Sequence, residues 1–203
     1  LALQVIKRLE ESNNLDHVEM AKAYDLLSSV EIQRNNFDIA IEFAKKSLGI
    51  KLNYKGHDRA LELAITLNKI GRIYNQTAKN ELAEEHLLQA RDHLEQTYGE
   101  GHAFTGDVYC NLGTLYISKS QPSKAMQYYS KFYNNNLAAY GYYHPNICQA
   151  YYAFAWYYEF KEDFETALKY YHRALELARE LKGKYGIERA KIYINMAGLY
   201  YQL

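Results

Sequence analysis

Apolar and small residues in this chain recur every three or four positions, as at Ile39, Ala40, Phe43, Ala44, Ser47 and Leu48, which draws one stripe along a helix. Strand-like alternation bounded by Asn-Gly or Asp-Gly turns is absent. The stripes break at Arg34-Asn35-Asn36, Thr77-Ala78-Lys79-Asn80, Lys119-Ser120-Gln121-Pro122 and Lys161-Glu162-Asp163. Asn36, Asn80 and Asp163 suit helix N-caps, and Pro122 suits a first helical turn, where its missing N–H costs nothing. With 2 prolines, 11 glycines and no Pro- or Ser-rich linker, the pattern predicts an all-α chain of helical hairpins.

The hairpins repeat. Gly71, Gly113, Ala155 and Ala197 are small residues spaced by 42, and a tyrosine follows each by three: Tyr74, Tyr116, Tyr158 and Tyr200. Ala83, Ala125 and Ala167 follow twelve residues after the first three of these, then Leu87, Tyr129 and Tyr171, then Ala90, Phe132 and Ala174. An earlier unit fits with one extra residue, Ser28 and Ala40 preceding Gly71 and Ala83 by 43, although Ser28 and Glu31 replace its small-residue and tyrosine signature. A small residue on the first helix lets the second approach closely, alanines on the second do the same, and large rings fill the gaps. One hairpin cannot bury its apolar face alone, whereas stacked hairpins share a core.

The small-x-x-Tyr, Ala, aromatic or Leu, Ala pattern resembles the tetratricopeptide repeat (TPR), whose usual unit is about 34 residues. The longer unit is similar to that of kinesin light chains and related adaptors. Tyr98-Gly99-Glu100-Gly101-His102-Ala103 and Tyr140-Gly141-Tyr142-Tyr143-His144-Pro145 resemble the Gly-x-x-His-Pro connector of that group. HEAT-type repeats have a similar length but do not call for this signature. The resemblance implies a right-handed α-solenoid of stacked antiparallel helix pairs, a TPR-like superhelix. The expected layout is a single repeat domain over 1–203, part of a longer array. It holds a partial helix at 1–11, pairs at about 16–50, 60–98, 105–140 and 146–182, and a half repeat at 188–203.

Charge and chemistry narrow the function. Basic and acidic groups balance at 24 each, which gives no support to nucleic acid or an anionic membrane as the partner, and no apolar run is long enough for membrane insertion. Cys110 and Cys148 form no C-x-x-C pair, and a reducing, cytoplasmic compartment is the default. The chain begins at Leu1 without methionine, so a targeting segment is not excluded. No H-E-x-x-H, Walker loop, G-x-G-x-x-G or G-x-S-x-G occurs, and no enzyme, cofactor or metal site is predicted. His57, His102 and His144 fall in equivalent linkers, where helix starts account for them.

Tyrosine is the compositional oddity, at 22 residues. Tyr24, Tyr74, Tyr109, Tyr116, Tyr129, Tyr151, Tyr158, Tyr171, Tyr193 and Tyr200 fall on packing positions and are expected in the core. The rest cluster around 128–171 and suit either a binding surface or an A/T-rich coding bias that also explains the asparagines. In stacks of this kind the first helices line the concave face. Its candidate peptide-binding residues are Asn68, Lys69 and Arg72, then Asn111 and Thr114, then Tyr152 and Trp156, then Lys191 and Asn195. Asparagine can hold the backbone of an extended peptide, Lys and Arg can hold its acidic groups, and Trp156, the only tryptophan, is either a groove hot spot or a wedge between first helices. The carboxylate clamp of some TPR domains is not carried over, because the fourth pair is aromatic or small at the matching positions. The expected function is a non-catalytic scaffold that binds a partner peptide or helix. The alternative is an architectural segment of a large cytoskeletal or ciliary assembly, a multi-subunit complex contacted by edges and ends.

Overall fold

The computed structural model describes residues 17–181 and 186–202. The helix expected over 1–11 lies outside them. Among the described residues there is no strand. The helices are α1 (His17–Gln33), α2 (Phe37–Asn53), α3 (Arg59–Gln76), α4 (Asn80–Tyr98), α5 (Gly106–Ser118) after a 3-10 turn at Ala103–Thr105, α6 (Pro122–Tyr140), α7 (Pro145–Phe160), α8 (Phe164–Glu180) and α9 (Gly186–Gln202).

The chain divides into two compact units, Leu1–Gly99 and Glu100–Leu203. In the first, α1 packs on α2 and α3 on α4, with α2 against α3. In the second, the pairs are α5 with α6 and α7 with α8; α6 also packs on α7, and α9 packs on α8.

The small residues do what their spacing predicts. A Cβ on Gly71 would stand 2.6 Å from Leu87 Cγ and 3.2 Å from the Ala83 carbonyl. On Gly113 it would stand 2.4 Å from the Tyr129 ring. Ser28, at the equivalent position of the first pair, is fully buried despite its departure from the signature. Glu31, which replaces the tyrosine there, accepts from Arg34 at 3.0 Å and from the Asn36 amide at 2.8 Å, so ion and hydrogen bonds stand in for a ring.

The turns within pairs repeat as well. Asn35, Ala78, Ser120 and Glu162 all have φ between 56 and 61°. After each, the next N–H reaches back to the fifth carbonyl before it, as from Lys79 to Tyr74 and from Gln121 to Tyr116, both at 2.8 Å. This closes the helix end as a Schellman turn. Of the predicted caps, Asp163 accepts from the Thr166 N–H at 3.1 Å, and Pro122 opens α6. Asn36 sits at the cap but bonds Glu31, and Asn80 is the first helical residue, one past the cap. Two of the three linker histidines are caps: His102 Nδ1 accepts from the Phe104 N–H and His144 Nδ1 from the Asn146 N–H, each at 3.2 Å. His57 is not; it is exposed, and Asp58 stands at the cap position of α3.

Most of the tyrosines expected in the core are there, with Tyr109, Tyr129 and Tyr171 fully buried. Tyr24 and Tyr158 are half-buried. Tyr193 and Tyr200 depart from the expectation, being 48% and 57% exposed. They lie on α9, where no described helix packs in the place that α4, α6 and α8 take against α3, α5 and α7.

The close approach makes two glycine substitutions diverge. Gly113→Ala forces the buried Tyr129 ring aside, at a cost of about 1–3 kcal/mol that exceeds the helix-propensity gain of up to about 1 kcal/mol. Gly49, inside α2 with nothing within 4 Å of a Cβ, has only the gain. Urea unfolding should therefore show Gly113→Ala destabilised and Gly49→Ala stabilised.

Candidate functional site

On α3 of the first unit, Asn68 and Lys69 are half-buried and Arg72 is exposed. The Lys69 ammonium donates to the Asp25 backbone carbonyl at 2.7 Å and lies 3.3 Å from its carboxylate. Asp25 Oδ2 also takes the Lys51 ammonium at 2.6 Å. Lys51 reaches Glu62 Oε2 at 2.7 Å and donates to Thr66 Oγ1 at 3.0 Å. Two cations and two carboxylates from α1, α2 and α3 thus neutralise one another, with the Lys51 side chain only 4% exposed. Burial holds the Lys69 ammonium below the ordinary lysine range, against the opposing pull of Asp25. Lys69 is therefore already engaged inside the fold, and Arg72 is the candidate cation of this unit left at the surface.

In the second unit the candidate residues come together. The Asn195 amide on α9 donates to Tyr152 Oη on α7 at 2.8 Å and to Tyr171 Oη on α8 at 3.0 Å. Tyr171 Oη donates to Glu159 Oε2 at 2.9 Å. Burial raises both phenols, so both are protonated donors at neutral pH; at Tyr171 the neighbouring Glu159 adds to this. One pair earlier, Thr114 Oγ1 donates to the Cys110 carbonyl at 3.1 Å and lies 3.3 Å from Tyr129 Oη. Asn111 and Trp156 are half-buried and Lys191 is exposed.

Reading the sequence missed the charge cluster and the paired asparagines of α6. Both carried a signal. Lys51 continues the buried stripe Ala40, Ala44, Ser47, and Asn136 continues Ala125, Tyr129, Phe132 at the same spacing. A polar group on an apolar stripe requires a buried partner. Asn136 Oδ1 accepts from Asn146 at 2.6 Å, and Asn135 donates to the Glu100 carbonyl at 2.8 Å, which pins the start of α7 and the linker before α5 to α6.

Among the described residues no group of three or more His, Cys, Asp or Glu is placed to hold a metal, and no helix is long and apolar enough to cross a membrane. Cys110 is buried and its thiol is pushed up to about 12 by burial first and Asp107 second, which suits a packed side chain and not a nucleophile.

Removing one member of the charge cluster strands its partners. Asp25→Asn is expected to lower stability by about 3 kcal/mol, read as a fall in the urea midpoint with helical content retained below it.

Sequence models of the tetratricopeptide repeat match residues 62–136 and 149–181, together just over half of the chain. No curated protein matches significantly. Among solved structures, BtubC (BKLC) from P. vanneervenii is similar with a TM-score of 0.71 at 23% identity, over 90% of this chain and 72% of that one. A Rap protein complexed with competence and sporulation factor gives 0.79 at 16%, over 97% of this chain and 53% of its own. A kinesin-light-chain-like protein of Podosopora anserina with nearly identical TPR-like repeats gives 0.66 at 13%, over 88% and 84%. At these identities the likeness is one of fold, a fold that serves as a protein-interaction scaffold and is generally non-catalytic. The repeat signature, the packing and the sequence matches agree: the chain belongs to the tetratricopeptide repeat family.

Proposed function

We propose that the chain is a non-catalytic scaffold whose first-helix faces form the concave groove and bind a peptide or helical segment of a partner protein. The supporting observation is the Tyr152–Asn195–Tyr171–Glu159 chain of hydrogen bonds. It fixes side chains from α7, α8 and α9 before any ligand arrives, so little freedom is lost on binding. Neither the Asn195 carbonyl nor the Tyr152 proton has a partner of its own among the described residues, so the pair offers one acceptor and one donor to a peptide backbone. Asn111, Thr114 and Trp156 extend that face within the second unit, and Lys191 borders it. Asn68, Lys69 and Arg72 are the corresponding face of the first, with Arg72 the group available to an acidic side chain. The Rap protein, alike in fold, was crystallised with competence and sporulation factor, which fits this reading. Two buried free cysteines suit the cytoplasm.

A random-peptide display library selected on the full chain tests this. Enriched sequences should lose binding to the double variant Asn111→Ala, Trp156→Ala, whose helical circular dichroism is kept. A library that yields no enriched sequence, or sequences that bind the double variant unchanged, rejects the reading.

A second reading is favoured by α9, which exposes Tyr193, Ile194, Tyr200 and Tyr201: an architectural segment that meets other subunits of an assembly along this helix. Sedimentation velocity should then show concentration-dependent association, relieved by Tyr200→Ser with Tyr201→Ser. A monomer throughout removes this reading.

A further inference from the structure

The connection between α2 and α3 departs from its counterparts in the second unit, and a cavity opens where it does. The linkers Gly99–His102 and Gly141–His144 each begin with a glycine of positive φ and end with a capping histidine. The linker Tyr54–Asp58 is one residue longer. It begins with Tyr54 in an extended conformation, φ −71° and ψ 132°, and ends with an aspartate whose side chain makes no cap bond. The phenol of Tyr54 lies over Gly56, where a Cβ would fall on the ring. Only glycine at 56 admits this placement of Tyr54.

The cavity at this linker has a volume of about 370 Å³ and is lined by Leu52, Asn53, Tyr54, Lys55 and Arg59. Small-ligand sites span about 300–1,000 Å³. The lining holds two cations and no acid. Among the described residues the Lys55 ammonium has no hydrogen-bond or ion-pair partner. Arg59 donates from Nη2 to the Leu52 carbonyl at 3.1 Å, which fastens its guanidinium to the end of α2 and leaves its other N–H groups unengaged.

The acids nearest in the chain do not neutralise these cations. Asp58 Oδ1 lies 3.8 Å from His57 Nδ1 and pairs with neither Lys55 nor Arg59, and Glu62 Oε2 takes Lys51 at 2.7 Å. The Tyr54 hydroxyl is a further donor without a partner. Leu52, 53% exposed, adds an aliphatic wall, and the half-buried Tyr54 ring adds an aromatic one. Exposed cations alone are ordinary surface. Cations lining a recess with apolar walls are not, because their attraction for an anion grows where those walls displace water.

We propose that this cavity binds a small organic anion, a carboxylate or phosphate group on an apolar body. Lys55 and Arg59 take the oxyanion, and Leu52 and Tyr54 cover the apolar part. The site belongs to a linker of the first unit and stands or falls separately from the groove reading above.

The test is titration of the isotope-labelled full chain, followed through the backbone amide signals of residues 52–59. The probes are phenyl phosphate, hexanoate, inorganic phosphate, phenol and hexanamide. Phenyl phosphate or hexanoate should shift these signals saturably, at concentrations about tenfold or more below inorganic phosphate, which has no apolar body to bury. The margin over phenol and hexanamide, which carry no charge, should also be about tenfold or more. Saturation by phenyl phosphate alone assigns a phosphate ligand and by hexanoate alone a carboxylate; either supports the site. Lys55→Gln with Arg59→Gln should weaken binding about tenfold or more, with helical circular dichroism and melting unchanged. Inorganic phosphate or a neutral probe acting as strongly, shifts spread over lysines and arginines elsewhere, a double variant that binds as wild type does, or no saturation by any probe overturns the inference.

Discussion

The structure depends on how closely the two helices of each pair approach. At Gly113 there is no room for one more carbon, because the Tyr129 ring occupies the place; at Gly71, Leu87 and the Ala83 carbonyl do so. Contact at that range puts Ala83, Ala125 and Ala167 at zero exposure. It also aligns the next ring or leucine down the second helix with the first helix beside it. Dispersion and water exclusion both rise steeply as a gap closes, so one small residue per pair governs the packing of a whole hairpin. At Ser28 and Ala155 a side chain larger than hydrogen stands there and is itself fully buried, whereas Ala197, on α9, is exposed.

That constraint explains why the fold was legible in the sequence. Small residues at a strict spacing of 42 can be counted, and a helix pair needs little else to be recognised. The turns were legible as breaks but not in their conformation. Asn35, Ala78, Ser120 and Glu162 share a positive φ, and no common side chain announces it. What selects the conformation is the backbone, through hydrogen bonds that close each first helix. His102 and His144 were placed correctly at helix starts, and His57 was not; the atom that acts, Nδ1 accepting from the N–H two residues on, emerges only with the backbone in view.

For the candidate residues, the sequence supplied which of them share a helix face and not what each one is bonded to. Helical spacing placed Lys69 and Asn195 on the first-helix face, but spacing along one helix says nothing of what the neighbouring helix brings. Asp25 comes from α1, 44 residues away, and engages Lys69; Tyr152 comes from α7, 43 residues away, and engages Asn195. Both separations are close to one repeat, so the preceding repeat is where such partners should be sought. Tyr193 and Tyr200 illustrate the same limit from the other side. Their positions match those of buried tyrosines, but burial belongs to a pair of helices, and no described helix covers α9 on that side.

The two units solve the problem of polar first-helix residues in opposite ways. In the first, charges are met with charges, and Lys51, Lys69, Asp25 and Glu62 form a closed set around Thr66. Such a set fixes the register of three helices, because every member loses its counter-charge if one helix slides. In the second, neutral groups meet neutral groups, and one carboxylate, Glu159, ends the chain of donors. Neutral hydrogen bonds have a short reach, and that chain leaves a donor and an acceptor at its edge unspent. A surface of this second kind discriminates by shape and by hydrogen-bond match. A repeat protein can therefore keep one packing rule through all its pairs and still vary what its faces select, since the rule binds the small residues and leaves the opposite side of each first helix free to change.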